Sequence, residues 1–170
     1  MGVSGTGKST IAKGVAQALG GRFLDADDYH LPANEAQIAS GKALDDAMQS
    51  EWLDRVSYEV LRVGMLSRQR VIFACSALKH AYRDRLRSKL GKIPIVYLSG
   101  TRALIKARLA QRTDYLIPAT LLDSQLADLE APSEEEGALI CDIAQPPEQI
   151  IAEICRSLQD AALSRGAKIG

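Results

Sequence analysis

The stretch Gly2-Val3-Ser4-Gly5-Thr6-Gly7-Lys8-Ser9-Thr10 constrains this chain more than any other. Its spacing, G-x-x-x-x-G-K-[ST], is that of a glycine-rich loop whose backbone N–H groups cradle phosphates and which then opens a helix. Glycine at these positions permits positive φ and lets the backbone approach an anion closely. Lys8 is a compact ammonium able to reach the outer phosphates of a nucleoside triphosphate, and Ser9 supplies a hydroxyl for Mg²⁺. Apolar residues at Ile11, Val15, Ala16 and Leu19 keep a helical period, so a helix over 9–19 aims its N-terminal dipole at the anion. A loop of this kind joins a strand to a helix. Only Met1 precedes Gly2, so the strand expected to carry the loop is missing from this sequence; the favoured reading is a trimmed or misassigned start, the alternative a protein that begins here.

The rest of the chain alternates short apolar runs with amphipathic segments. Strands are expected at 22–24, 71–74, 94–98 and 138–143. Helices are expected over 34–40, from 50 onward, and over 80–90, 101–112, 119–129 and 148–163. In the helix from 50, Leu53, Val56, Val60, Leu61 and Met65 form the expected inward stripe. Val71-Ile72-Phe73-Ala74 is apolar on both faces, as a central parallel strand requires. The alternation predicts an α/β fold in which helices flank a parallel sheet with right-handed crossovers.

Composition bounds the partners. A chain of 170 residues is one domain by size, spanning 1–170. Lys+Arg and Asp+Glu both number 21, which excludes a broad basic face for nucleic acid. No apolar run is long enough to span a membrane and no signal peptide precedes the loop, so the expected compartment is the cytoplasm. Cys75, Cys141 and Cys155 lack metal-like spacing and read as buried reduced thiols.

In open parallel sheets, ligands sit at the carboxyl ends of the strands. Asp25, Asp27, the stretch Ser76 to Lys79, and Gln145 all fall at such ends and therefore converge on the phosphate loop. Asp25 and Asp27 stand two residues apart on one rim. Asp25 is assigned to Mg²⁺ and Asp27 to proton acceptance from an attacking hydroxyl, the base role in phosphoryl transfer. The competing reading, solvated turn aspartates, is the weaker one beside a phosphate loop. Arg108 and Arg112 lie one helical turn apart before the irregular 113–118 stretch, where they could clamp phosphates as a lid closes. Lys79, Arg83 and Arg87 recur on one helix face and offer an anion site, against the plain alternative of a surface charge run. His30 is a candidate acceptor contact, Trp52 reads as packing and His80 as exposed.

Taken together, these stretches resemble the gluconokinases of the P-loop type, relatives of shikimate and nucleoside-monophosphate kinases. The resemblance is carried by Gly2 to Ser9, by Phe23-Leu24-Asp25-Ala26-Asp27 with His30 and Asn34, and by Trp52-Leu53. It continues in Cys75-Ser76-Ala77-Leu78-Lys79 with Tyr82-Arg83-Asp84, in Arg108-Leu109 with Arg112, and in Asp142-Ile143 with Gln145-Pro146. The Cys-Ser-Ala-Leu-Lys string is its most specific part.

The resemblance implies transfer of the ATP γ-phosphate to the 6-hydroxyl of D-gluconate, Mg²⁺ dependence and a homodimer. It implies an acceptor region near 28–66 with Asp27, His30, Ser76, Lys79 and Arg83 toward the acceptor. It also implies a lid near 111–119 flanked by Arg108 and Arg112, and Gln145 and Pro146 beside the adenine. The chain departs from the family pattern at Leu31, at Gln37-Ile38, at Met48-Gln49-Ser50-Glu51 and at Asp114-Tyr115-Leu116. These changes remove two cations and one histidine from the acceptor and lid side. They keep open a kinase for another sugar acid, polyol or shikimate-like acceptor, and a nucleotide-binding relative without catalysis.

Overall fold

The computed structural model describes residues 1–111 and 119–166. Four strands, β1 (Arg22–Asp25), β2 (Val71–Ala74), β3 (Val96–Ser99) and β4 (Leu139–Asp142), alternate with seven helices among these residues. The helices are α1 (Lys8–Ala18), α2 (Pro32–Ala39), α3 (Asp46–Ser67), α4 (His80–Leu90), α5 (Arg102–Ala110), α6 (Ala119–Asp128) and α7 (Pro147–Gly166).

All strand pairing among the described residues is parallel, as the alternation predicts. The sheet, however, is divided: β1 pairs with β2 and β3 with β4, Phe23 standing opposite Ile72 and Tyr97 opposite Ile140. Between β2 and β3 runs an apolar slot of about 350 Å³, bordered by Val71, Phe73, Ile95, Val96 and Leu98. Met1 stands in one end of it as a strand residue would. Its amino nitrogen donates to the Val96 carbonyl, its carbonyl accepts from Leu98 N–H at 3.0 Å, and Gly2 N–H donates to Ser76 O at 3.2 Å. Met1 and Gly2 together thus link β3 to the stretch just past β2, at the end that faces the phosphate loop.

Two apolar cores flank the division. Val3, Ile11, Val15, Leu98, Ile105, Cys141, Ile143, Ile150 and Ile154 join α1, α5 and α7 to β3 and β4. Leu24, Trp52, Leu53, Val56, Cys75, Tyr82 and Leu86 join α3 and α4 to β1 and β2. Helix α3 starts at Asp46, earlier than its apolar period alone suggests, because the Asp45 carboxylate caps it by accepting from Met48 N–H at 2.8 Å. Its inward stripe is Trp52, Leu53 and Val56; Leu61 and Met65, expected inside, are exposed together with Tyr58 and Leu66. Cys75 and Cys141 are buried, and burial pushes their thiols up to about 12 and about 11; Cys155 is only half-buried.

Candidate active site

The phosphate loop turns on Gly7. It adopts φ 87° at the N-cap of α1, a left-handed conformation that a side chain would strain even though open space surrounds it. A Cβ on Gly2 would meet the Leu98 carbonyl at 2.8 Å, so this glycine is fixed by close packing against β3. Thr6, 2% exposed, pins the loop internally by donating to Val3 O at 2.9 Å. Lys8 Nζ donates to the same carbonyl at 3.2 Å, folding its ammonium back over the loop. The N–H groups at the start of α1 and this ammonium make the positive end of the site.

From there a continuous series of polar contacts runs outward. Ser9 Oγ donates to Asp25 Oδ2 at 2.6 Å. Asp25 Oδ1 accepts from Asp27 N–H at 3.3 Å, capping the short 3₁₀ turn Ala26–Tyr29 that ends β1. The Asp27 carboxylate, 66% exposed, faces His30 Nε2 at 3.8 Å. His30 in turn stacks on Trp52 with ring centroids 4.4 Å apart and planes 12° from parallel. Trp52, 1% exposed, is fixed by donating Nε1 to Ala26 O at 2.9 Å. Its core packing is as expected, and it is in addition the platform for His30.

On the other side of the loop a cavity of about 250 Å³ is lined by Gly5, Thr6, Gly7, Thr10, Arg108 and Gln145, with Pro147 and Ile150. The structure therefore brings Arg108 and Gln145 to the loop, Gln145 from the strand end at which the sequence places it. Arg108 Nη2 is anchored on Ile143 O at 2.7 Å. Pro146 does not line this cavity; its carbonyl accepts from Gln149 N–H at 3.0 Å at the start of α7. Arg112, Asp114, Tyr115 and most of the 111–119 lid lie outside the described residues.

The anion face expected on α4 is corrected by the fold at Arg83. Lys79, Arg83 and Arg87 do share one face, but that face meets this chain's own carboxylates. Arg83 is 1% exposed and all three of its nitrogens are engaged. Nε and Nη2 grip the Glu136 carboxylate at 2.7 Å each. Nη1 donates to Ala77 O, Leu78 O and Glu130 O at 3.2, 2.9 and 3.0 Å. A guanidinium so enclosed presents no fork to an acceptor. It instead fixes the 75–79 loop, where Ala77 holds the left-handed φ of 41° that costs a non-glycine residue about 1 kcal/mol.

Arg87 also reaches Glu136, at 3.0 Å, and the Arg83 bridge, with smaller help from its other partners, holds the Glu136 carboxyl down to about 2. Lys79 donates to Asp46 at 2.8 Å, and that bond raises its pKa. Tyr82 OH donates to the same Asp46 oxygen at 2.5 Å. Ser76 stands beside the loop through its carbonyl on Gly2 N–H. His80 is 54% exposed, as expected, between Asp84 and Glu136.

Gln125 is a site residue that sequence reasoning left without a role. Its Oε1 accepts from Ser4 N–H at 2.7 Å, tying α6 directly to the phosphate loop. Ser124-Gln125 is among the stretches that resemble the family, which marks the position without assigning it a role; its partner lies 121 residues away.

A helix-flanked parallel fold whose phosphate loop converges with carboxylates at the end of β1 defines a P-loop kinase. In agreement, the family described as an AAA domain matches residues 1–132. The gluconokinase of Gluconobacter oxydans is 36% identical over 159 residues, spanning 94% of this chain and 89% of that protein. The solved gluconokinase of Sinorhizobium meliloti superposes with a TM-score of 0.87 at 34% identity, covering 99% of this chain and 94% of that one. An unliganded sugar kinase from Janibacter sp. superposes at 0.85 with 41% identity, over 94% and 91% of the two chains. The chain belongs to the gluconokinase family.

Proposed function

We propose that this protein transfers the γ-phosphoryl group of ATP to the 6-hydroxyl of D-gluconate. The observation that carries the reading is the unbroken contact from Ser9 through Asp25 to Asp27, which sets a carboxylate able to take a proton beside the phosphate loop. In this mechanism Asp27 accepts the proton of the attacking hydroxyl as its oxygen bonds to the γ-phosphorus and the bond from that phosphorus to the bridging oxygen breaks, releasing ADP. The loop N–H groups, Lys8 and Arg108 stabilise charge on the phosphoryl oxygens, and Gln145 lies toward the base. Hard oxygens at Ser9 and Asp25, 2.6 Å apart at a helix N-terminus, suit Mg²⁺, which keeps several waters and is held by one or two protein ligands plus phosphates. When bound, ATP supplies the phosphoryl group and Mg²⁺ neutralises its oxygens. Ser76 and Lys79 border the acceptor, and Lys79 exchanges its Asp46 partner for it.

The decisive measurement is ATP turnover by the full chain against a panel of sugar acids and polyols with Mg²⁺. Gluconate-dependent turnover that chelation of Mg²⁺ abolishes is expected. No acceptor-dependent turnover with any compound would sink the kinase reading and leave a nucleotide-binding protein. A second acceptor reading has one observation in its favour. Gln37, which stands where the family pattern has a lysine, donates its amide to Ala43 O at 2.6 Å and adds no charge to the site. A higher kcat/KM on another sugar acid or polyol would decide for it.

The reading takes residues 1–170 as one kinase domain. A homodimer is supported by the exposed Tyr58, Leu61, Met65 and Leu66 on α3, a stripe more apolar than a solvated helix face needs. Sedimentation of the purified protein is expected to give the dimer mass, shifted to monomer by Leu61→Glu with Met65→Glu; a monomeric parent would exclude the assembly. No helix among the described residues is long and apolar enough to cross a membrane. Use of ATP and cysteines in free thiol form suit the cytoplasm.

A further inference from the structure

Helix α6 buries Leu122 and packs Leu126 and Leu129 against the core that α1, α5 and α7 share. Gln125 falls on the same stripe, three residues after Leu122 and four before Leu129, and is half-buried. An amide on an inward face needs a partner, because burial strips its hydration. That partner is the phosphate loop, where Gln125 Oε1 accepts from Ser4 N–H at 2.7 Å.

Ser4 N–H and Val3 C=O belong to one peptide unit, which is planar and points its two polar groups in opposite directions. Val3 O accepts from Lys8 Nζ at 3.2 Å and from Thr6 Oγ1 at 2.9 Å. Gln125 and Lys8 therefore hold the two ends of a single peptide. Its flanks are packed: Val3 is 1% exposed, and a Cβ on Gly5 would meet Leu109 Cγ at 2.8 Å. The freedom left to the unit is rotation of its plane, and the Gln125 bond opposes that rotation.

We propose that Gln125 is a positioning residue for Lys8: its carboxamide locks the Val3–Ser4 peptide plane, and that plane holds the ammonium over the mouth of the loop. This rests on the kinase reading above and adds to it a residue that acts through Lys8 rather than on the phosphates. Donation from Ser4 N–H to Gln125 also polarises the peptide and makes Val3 O the better acceptor for the ammonium. Without the carboxamide the plane turns more freely, and Lys8 meets the phosphoryl oxygens from a spread of positions. Stabilisation that depends on preorganisation then falls. Thr6 still grips the carbonyl, so the loss is a fraction of that from deleting Lys8 itself.

The test sets Gln125→Met, which keeps the length and suits the apolar stripe, beside Gln125→Glu, which keeps an acceptor oxygen, each in the full chain. Gln125→Met is expected to lower kcat about five- to tenfold, the worth of one hydrogen bond, with the gluconate KM within about twofold. Its Tm is expected to stay within about 4 °C of the parent. Gln125→Glu is expected to recover at least about threefold in kcat over Gln125→Met, its charge showing in the ATP KM instead. Gln125→Asn, which draws the oxygen back by one carbon, carries the same expectation as Gln125→Met should the latter not fold.

The deciding measurement pairs the change with Lys8→Ala. If Gln125 acts through Lys8, adding Gln125→Met to Lys8→Ala lowers kcat by less than about twofold further. The full five- to tenfold loss persisting in that background overturns the proposal, and so does a Gln125→Met kcat within about twofold of the parent. A large fall in Tm in Gln125→Met, with no recovery of kcat in Gln125→Glu, makes the residue structural and overturns it as well. If the parent turns over no acceptor, the kinase reading fails separately, and the same cycle is read from Mg²⁺–ATP dissociation constants by calorimetry. Weakening by Gln125→Met that vanishes beside Lys8→Ala supports the proposal; equal weakening in both backgrounds, or none in either, overturns it.

Discussion

Lys8→Ala is expected to lower kcat by about 10²–10³-fold, the loss typical of deleting one preorganised charge from a transition state. The magnitude follows from where the ammonium sits. Gly7 turns the backbone left-handed, α1 starts at Lys8, and Nζ folds back to Val3 O at 3.2 Å, over the mouth of the loop. Charge that builds on a transferring phosphoryl group meets this cation without any rearrangement of solvent. The loop N–H groups remain in the variant, so nucleotide binding should weaken less than catalysis does. Lys8→Arg is not expected to rescue it, because a planar fork cannot replace a compact point charge inside a closed loop. The measurement is acceptor-dependent ADP release at saturating ATP, with circular dichroism to verify folding. A kcat within threefold of the parent would remove Lys8 from the catalytic set.

Glu136→Gln is expected to cost about 3–5 kcal/mol of stability at neutral pH, the usual consequence of leaving a buried cation without its partner. For a chain of this size that is a fall in Tm of roughly 10 °C. Arg83 and Glu136, 1% and 3% exposed, share a two-pronged bridge that joins α4, the 75–79 loop and the segment after α6. The sign with pH is fixed by the direction of the shift. The folded carboxyl sits at about 2, below its ordinary 4.5, so its contribution is complete above about 4.5 and is lost as pH falls from there toward 2. The parent should therefore lose Tm steeply across that window, and Glu136→Gln should have a shallower acid limb from a lower plateau. Replacing both partners by apolar residues, Arg83→Met with Glu136→Leu, should recover part of the loss, since no buried charge is then orphaned. Equal acid limbs in parent and Glu136→Gln would show that this bridge is not what acid breaks.

Much of the site was legible because its signals are local. The phosphate loop is a spacing of small residues and a lysine, readable wherever it stands. The placement of Asp25, Asp27 and Gln145 at strand ends follows from where apolar runs stop, and parallel sheets collect such ends on one rim. The pairing direction of all four strands followed from the same alternation. Less legible was the fate of each cation on α4. Whether Arg83 or Lys79 is free depends on carboxylates 53 and 33 residues away, and no periodicity encodes those partners. The stripe on α3 misled for a related reason. A helix of 22 residues with apolar groups on more than one face does not state which face the sheet will cover.

By itself, the sequence determined that a phosphate loop opens a helix, that carboxylates stand at the end of the next strand, and that parallel α/β packing brings the two together. Those facts reside in spacing and period. The tertiary structure decided which polar groups are spent and which are kept. It closed Arg83 on Glu136, tied the loop to Gln125, and left His30 Nδ1 and Asn34 Nδ2 buried without partners. Satisfaction of a hydrogen bond is a property of atoms brought together in space, and it exists only once the chain has folded.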